Sequence, residues 1–141
     1  MAAKNRDIQG GTSKTLATED LAILCAQIAD EKKAEDTVVL DLQGIASFTD
    51  YFVVCSGINK RQLQAIADEI EKRADVLNIK RLSIEGYNDA RWILLDYGGV
   101  IIHLFDKEAR SFYDLELLWG DAAGIKWQGK QLELPQKSSA G

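Results

Sequence analysis

RWILLDYGGVIIHLF, residues 91–105, consists of two apolar segments joined by the glycine pair Gly98-Gly99. A glycine pair between such segments is typical of a β-hairpin with a two-residue turn, because glycine readily adopts the positive φ angles that the turn requires. A two-residue turn sets Tyr97 opposite Val100, and it continues outward in antiparallel register. The sequence therefore predicts two paired strands with a defined register.

The two sides of this hairpin differ in composition, because successive side chains of a strand point to opposite faces. One side carries no charge, and we predict that it belongs to the core: Ile93, Leu95, Tyr97, Val100, Ile102 and Leu104. The other side, here called the hairpin face, carries three cross-strand pairs: Trp92 with Phe105, Leu94 with His103, and Asp96 with Ile101. Two interpretations stay open. In the first, a helix covers this face and the polar groups form local hydrogen bonds. In the second, the face binds a protein partner through its aromatic residues.

Hydrophobic periodicity and capping signals predict the elements on either side of the hairpin. Upstream we predict a helix from a capping Thr18 to about Lys33, strands at 37–43 and 51–57, a helix behind the capping box of Asn59 and Gln62, and a strand at 81–86. Downstream we predict a helix from a capping Asp106 to about Leu118, before Gly120.

The predicted order of elements is α-β-β-α-β-β-β-α, which indicates an α/β (α+β) fold with a mixed five-stranded sheet and flanking helices. The strands at 51–57 and 81–86 are connected by a helix, so we expect them to run parallel in one sheet. Residues 18–121 form the predicted domain. The polar stretches at 1–17 and 122–141 are predicted to be tails.

Composition excludes several classes of protein. The chain has 141 residues and a formal net charge of −5, which argues against a protein that binds nucleic acid through phosphate contacts. It contains neither the roughly 20 consecutive apolar residues of a membrane span nor the apolar core of a secretory signal. The chain has two cysteines, Cys25 and Cys55, which lack metal-ligand spacing and lie in apolar stretches. Such sparse use of cysteine is typical of proteins in a reducing cytoplasm.

The sequence offers little support for catalysis. Asp96 with His103 could form an acid–base pair and Cys55 could act as a nucleophile, but Cys55 lies among apolar neighbours, where thiols are usually inert. Residues 56–60 lack the glycines and the Lys-Ser/Thr pair of a phosphate-binding loop. We therefore predict a protein that is not an enzyme and that uses no cofactor or metal.

Several motifs occur together in the order of one known family. They are FTDYFVVCSG at 48–57, RQ at 61–62, AIAD at 65–68, EG at 85–86, RWILLDYG at 91–98, VIIHLF at 100–105 and R-x-F-Y-x-L-E-x-L-W at 110–119. In these residues the chain resembles the ribosomal silencing factor family, RsfS or Iojap-like. The resemblance implies a nucleotidyltransferase-like fold without the catalytic residues.

The resemblance also implies a function and a partner. Members of this family bind the large ribosomal subunit through its protein fourteen, block joining of the small subunit and lower translation when nutrients are short. They also form homodimers. An assembly factor for the large subunit that uses the same surface is one alternative. A cryptic nucleotide-handling enzyme is a second, suggested by the fold alone.

Carried over residue by residue, the resemblance implies a partner-binding site on the hairpin. Its residues are Trp92, Leu94, Asp96, Tyr97, His103 and Phe105. Asp50, Tyr51, Arg61 and Gln62 match the family too, with roles that stay open. Gly99 departs from the family, which often has an acidic residue there.

The distribution of charge agrees with a protein partner. The acidic excess lies in residues 19–36, 37–58 and 106–121, whereas residues 59–105, which contain the hairpin, carry equal numbers of acidic and basic side chains. An acidic frame around a neutral aromatic patch favours a basic protein and disfavours direct contact with RNA.

Overall fold

The computed structural model describes residues 16–115 and 119–135, and within these ranges it contains three α-helices and six β-strands. In chain order they are α1 (Thr18–Glu31), β1 (Glu35–Asp41), β2 (Tyr51–Gly57), α2 (Lys60–Val76), β3 (Ser83–Glu85), β4 (Trp92–Asp96), β5 (Val100–Asp106), α3 (Lys107–Tyr113) and β6 (Ala123–Gly124). The predicted α/β class and the order of elements up to α3 are confirmed. The sheet has six strands instead of the predicted five.

The strands form one mixed sheet in the order β3-β4-β5-β2-β1-β6. β2 and β5 pair in parallel, and every other neighbouring pair is antiparallel. β3 therefore runs in the same direction as β2, as predicted for two strands joined by a helix. The two strands are separated by β4 and β5 and make no direct pair.

The β4–β5 hairpin has the predicted register. Trp92 lies opposite Phe105, Leu94 opposite His103 and Asp96 opposite Ile101. The turn closes with a hydrogen bond of 2.9 Å from the Tyr97 amide to the Val100 carbonyl, and Gly98 takes φ +86°, a conformation that glycine adopts without steric cost.

The two faces of the sheet are covered differently. α1 and α2 pack against the predicted core side of the hairpin, whose six residues are all buried. The opposite side of the sheet holds a smaller apolar cluster, in which Phe52, Ile101 and Phe105 are buried beneath Ala109 of α3 and Leu115. β2 is buried along its whole length, because both of its faces are covered.

Two of the three predicted helix caps are confirmed. The side chain of Asn59 accepts a hydrogen bond from the Gln62 amide at 2.8 Å, and that of Asp106 accepts one from the Ala109 amide at 2.7 Å. The predicted cap at Thr18 is wrong: the N-cap of α1 is Ala17, whose own side chain makes no capping hydrogen bond.

α3 is shorter than predicted. It ends at Tyr113, because Asp114 adopts the left-handed conformation with φ 41°, whereas the sequence predicts a helix to about Leu118. Residues 116–118 lie outside the described residues.

The predicted C-terminal tail at 122–141 is corrected over the part that the structure describes. Trp127 is only 7% exposed, and its indole Nε1 donates to the Thr37 carbonyl at 3.1 Å. The side-chain amide of Gln27 donates to the carbonyls of Trp127 and Lys130, at 3.0 and 2.8 Å. Burial of one large aromatic side chain thus fixes a segment whose polar composition predicts a tail. Residues 1–15 and 136–141, parts of both predicted tails, lie outside the described residues.

Candidate functional site

The hairpin face divides into a buried half and a partly exposed half. On β5, Ile101, His103 and Phe105 are buried, with Phe105 at 0% exposure. On β4, Trp92, Leu94 and Asp96 are half-buried. A partner that approaches this side of the sheet therefore meets β4 side chains, while the β5 side chains support them from below.

Trp92 is packed between the sheet and α3. Its indole stacks on Phe105 with ring centroids 5.1 Å apart, and the ring of Tyr113 lies 4.5 Å away on the helix side. Tyr113 and Phe112 remain largely exposed, with Phe112 at 80%. A cleft of about 390 Å³ opens here, lined by Arg91, Trp92, Glu108, Ala109, Phe112 and Tyr113.

The charged side chains at this cleft form ion pairs with one another and with the neighbouring Asp106. The guanidinium of Arg91 pairs with Asp106 at 3.4 Å and with Glu108 at 2.9 Å. One cation therefore faces two carboxylates, beside exposed aromatic rings. Such a rim favours a basic side chain of a partner over a phosphate group.

His103 lies beneath Trp92 and is 4% exposed. Its Nδ1 accepts a hydrogen bond of 3.1 Å from the indole Nε1 of Trp92. Its Nε2 is buried and has no hydrogen-bond partner among the described residues. Burial lowers the pKa of His103 to about 4, so the imidazole is neutral at physiological pH.

Asp96 and Tyr97 have structural roles at the turn. The Asp96 carboxylate accepts a hydrogen bond from the Gly98 amide at 2.8 Å, which stabilises the turn while the side chain stays half-exposed. Tyr97 lies on the core side and is buried, and burial raises the pKa of its hydroxyl. The structure therefore separates Tyr97 from the other five predicted site residues.

Aromatic residues that sequence reasoning left out of the site extend the hairpin face in both directions. Phe112 and Tyr113 lie at the α3 end, while Phe48 and Trp119 lie at the β2 end, each about 6 Å from Phe52 between ring centroids. The FY and W of the motif at 110–119 were a usable signal. The position of Phe112 and Tyr113 beside Trp92 depends on where α3 packs, which periodicity does not reveal.

Three of the residues with open roles support the fold. The side chain of Gln62 accepts from the Ile58 amide at 2.7 Å and donates to the Lys32 carbonyl at 3.0 Å, so it ties α2 to the end of α1. The hydroxyl of Tyr51, a buried residue, donates to the Glu19 carboxylate at 3.2 Å. The backbone of Asp50 bonds to the Gly99 carbonyl at 3.0 Å and holds its loop against the turn. Arg61 is exposed on the first turn of α2.

Gly99 fits closely against α1. A Cβ atom at this position would lie 2.7 Å from the methyl group of Thr18. In this chain Thr18 occupies the space that a side chain at position 99 would need, which agrees with a glycine where the family often has an acidic residue.

The remaining chemical groups add no reactive centre to this face. Cys25 and Cys55 are buried, and burial raises the pKa of each thiol to about 12. Within residues 16–115 and 119–135, no group of three or more His, Cys, Asp or Glu side chains is placed to hold a metal ion. In the same ranges, no helix has the length and apolar character needed to span a membrane.

Comparison with known proteins places these features in a family. The family model described as "Ribosomal silencing factor during starvation" matches residues 15–140. The chain is 48% identical over 99 residues to the ribosomal silencing factor RsfS of Bacillus subtilis, which covers 70% of this chain and 84% of that protein. It is 41% identical over 114 residues to the RsfS of Halalkalibacterium halodurans, which covers 81% and 97%.

Solved structures agree with the fold. A crystal structure of a Bacillus halodurans protein superposes with a TM-score of 0.68 at 40% sequence identity, and the match covers 77% of this chain and 98% of that one. The sequence motifs, the register of the hairpin and these matches lead to one conclusion. The chain belongs to the RsfS family of ribosomal silencing factors.

Proposed function

We propose that this protein is a non-catalytic repressor of translation. It binds the large ribosomal subunit in the cytoplasm through ribosomal protein fourteen and blocks joining of the small subunit when nutrients are limited. Membership of the RsfS family supports the ribosomal role. The observation that supports the binding site is the aromatic group around the cleft, formed by the exposed Phe112 and Tyr113 and the half-buried Trp92, beside the half-buried Leu94 and Asp96.

The chemistry of the cleft fits a basic protein partner. Its aromatic rings offer large apolar contact area, and the guanidinium of Arg91 is already paired with the carboxylates of Glu108 and of the neighbouring Asp106. Central aromatic residues with polar surroundings are typical of the few residues that carry most of an interface's binding energy. A repressor of this kind acts by occupying space, so it needs no reactive group.

A catalytic function lacks candidate groups on this face. The Asp96 carboxylate is engaged by the turn, and His103 is buried with its pKa lowered to about 4. Both thiols are buried and protonated. These states favour a binding protein over an acid–base or nucleophilic enzyme.

Co-sedimentation with purified large subunits tests the proposed surface. We expect Trp92→Ala to stay folded and to weaken binding by about thirtyfold, the loss of about 2 kcal/mol that is typical of a central interface aromatic. Val76→Ala is the matched control, because Val76 is an exposed apolar residue at the end of α2, which packs on the other side of the sheet.

Binding of Trp92→Ala that equals the parent would show that the hairpin face is not the contact. A pull-down with isolated protein fourteen then tests the partner.

Sucrose gradients distinguish a silencing factor from an assembly factor. Loss of a silencing factor raises the joined-ribosome fraction during starvation, whereas loss of an assembly factor leaves immature large subunits even in rich medium. Homodimer formation, which the family resemblance implies, stays a prediction.

A further inference from the structure

The imidazole of His103 makes one polar contact among the described residues, and that contact is with Trp92. Nδ1 accepts from the Trp92 indole at 3.1 Å, so the single proton of the neutral ring lies on Nε2. Aromatic rings surround the imidazole: Phe52 lies 4.4 Å away edge-on, and Phe105 lies 6.1 Å away between centroids. Nε2 is buried among them without a hydrogen-bond acceptor among the described residues.

An imidazole in this position is costly for the fold. A buried N–H group without an acceptor loses its hydrogen bond to water and gains nothing in return. A leucine would fill a similar volume in this aromatic surrounding without that loss. Folding alone therefore does not require a histidine at position 103, and the hydrogen bond to Trp92 is what the histidine adds.

That hydrogen bond restricts the orientation of the Trp92 ring. Stacking on Phe105 and contact with Tyr113 are apolar and only weakly directional, so they tolerate either flip of the indole about its Cβ–Cγ bond. A hydrogen bond to Nδ1 is directional and is satisfied by one flip alone.

We propose that His103 is a positioning residue, whose Nδ1 fixes the Trp92 indole in the orientation that the partner meets, while His103 itself does not touch the partner. This inference rests on the proposed function, because it assumes that Trp92 lies in the ribosomal contact. It changes the role of His103 from the partner-binding residue that the sequence predicts to a buried support.

Nuclear magnetic resonance of the free, ¹⁵N-labelled protein tests the positioning without the ribosome. We expect the His103 ring to carry its proton on Nε2 at neutral pH. We also expect the Trp92 indole signal, identified by its absence in Trp92→Phe, to shift in His103→Leu. In His103→Asn the amide oxygen takes the place of Nδ1, so the signal should stay close to that of the parent. A proton on Nδ1, or an unshifted indole signal in His103→Leu, would overturn the proposal.

A double-mutant cycle of binding to large subunits tests the consequence. We expect His103→Leu to unfold at the same or a higher denaturant concentration than the parent, yet to bind about tenfold more weakly, the loss expected for one hydrogen bond. His103→Asn should bind more tightly than His103→Leu although it packs less well. In a Trp92→Phe background, which lacks the indole N–H, His103→Leu should have no further effect.

The outcomes separate this inference from the proposed function. If the effect of His103→Leu persists in the Trp92→Phe background, His103 touches the partner and the inference is wrong. Parent-like binding by His103→Leu, together with weakened binding by Trp92→Ala, would also refute it while leaving the proposed function intact. Parent-like binding by Trp92→Ala would refute the proposed surface instead.

Discussion

Two tryptophans of this chain use the same hydrogen-bonding group in opposite ways. Trp127 donates its indole N–H to a backbone carbonyl, that of Thr37, and is buried at the edge of the core. Trp92 donates its indole N–H over the same 3.1 Å to a side chain, that of His103, and stays half-buried beside a cleft. The comparison shows that two tryptophans with the same hydrogen-bond length differ in acceptor and exposure: the one that holds the fold is buried, and the one that we propose as a partner contact is half-buried.

The largest expected effect is a loss of stability when Trp127, but not Trp92, is the residue that holds the fold. Trp127→Ala should lower the free energy of unfolding by about 3–5 kcal/mol, because it removes a buried aromatic ring and its contact with β1. Chemical denaturation measures this loss. At low temperature, where the variant is still folded, it should bind large subunits as the parent does. A loss of less than 1 kcal/mol would contradict the structural role of Trp127.

The next largest expected effect is a dependence of stability on pH. The acceptor of the Trp92 indole is an imidazole, which titrates, whereas the acceptor of the Trp127 indole is a backbone carbonyl, which does not. The pKa of His103 is about 4 in the folded chain and about 6.5 when unfolded, so the unfolded state binds its proton first. The contribution of His103 to the free energy of unfolding is therefore at its maximum above about pH 6.5. It falls by roughly 3 kcal/mol as the pH decreases to about 4.

Denaturation of the parent and of His103→Leu across this pH range isolates the effect of the imidazole. The two proteins share every other titratable group, so the difference between the two curves removes the contribution of those groups. The difference should be constant above pH 7 and should change in favour of the variant below pH 6. Parallel curves over the whole range would show that His103 titrates normally in the folded chain.

The smallest expected effect on stability concerns Phe112, an exposed residue that the fold does not need. Phe112 is 80% exposed on α3, so Phe112→Ala should change the free energy of unfolding by less than about 0.5 kcal/mol. We expect it to weaken binding to large subunits by roughly fivefold, since the ring lines the cleft beside Trp92. Val76→Ala, at an exposed apolar residue of α2, is the control, and equal binding by both variants would remove Phe112 from the contact.

Local signals account for the parts of the fold that the sequence predicts well. The Gly98-Gly99 turn and strict alternation determine the register of β4 and β5, and Asn59 and Asp106 cap their helices through short contacts in sequence. Each of these features depends on residues within a few positions of one another. Such features can be inferred from one sequence without knowing how distant segments pack.

Features that depend on packing between distant segments could not be predicted from the sequence. β6 has two residues, and Trp127 lies in a polar stretch whose place in the fold depends on contacts with Gln27 and Thr37. The burial of His103 depends on Phe52 from β2 and on Trp92, so alternation along β5 could not separate a partner contact from a support. α3 ends at Tyr113 because the next residue, Asp114, is left-handed although it is not glycine, so the usual glycine stop signal is missing from the sequence.

The two buried cysteines offer a way to time the opening of this molecule. Cys25 lies in α1 and Cys55 in β2, and each thiol is at most 1% exposed. A thiol reagent added to the folded protein reaches them only during transient opening, so the rate of labelling reports the free energy and frequency of that opening. Because both thiols lie on the side of the sheet opposite the hairpin face, slower labelling in the presence of ribosomal subunits would measure how far a bound partner damps the motions of the whole core.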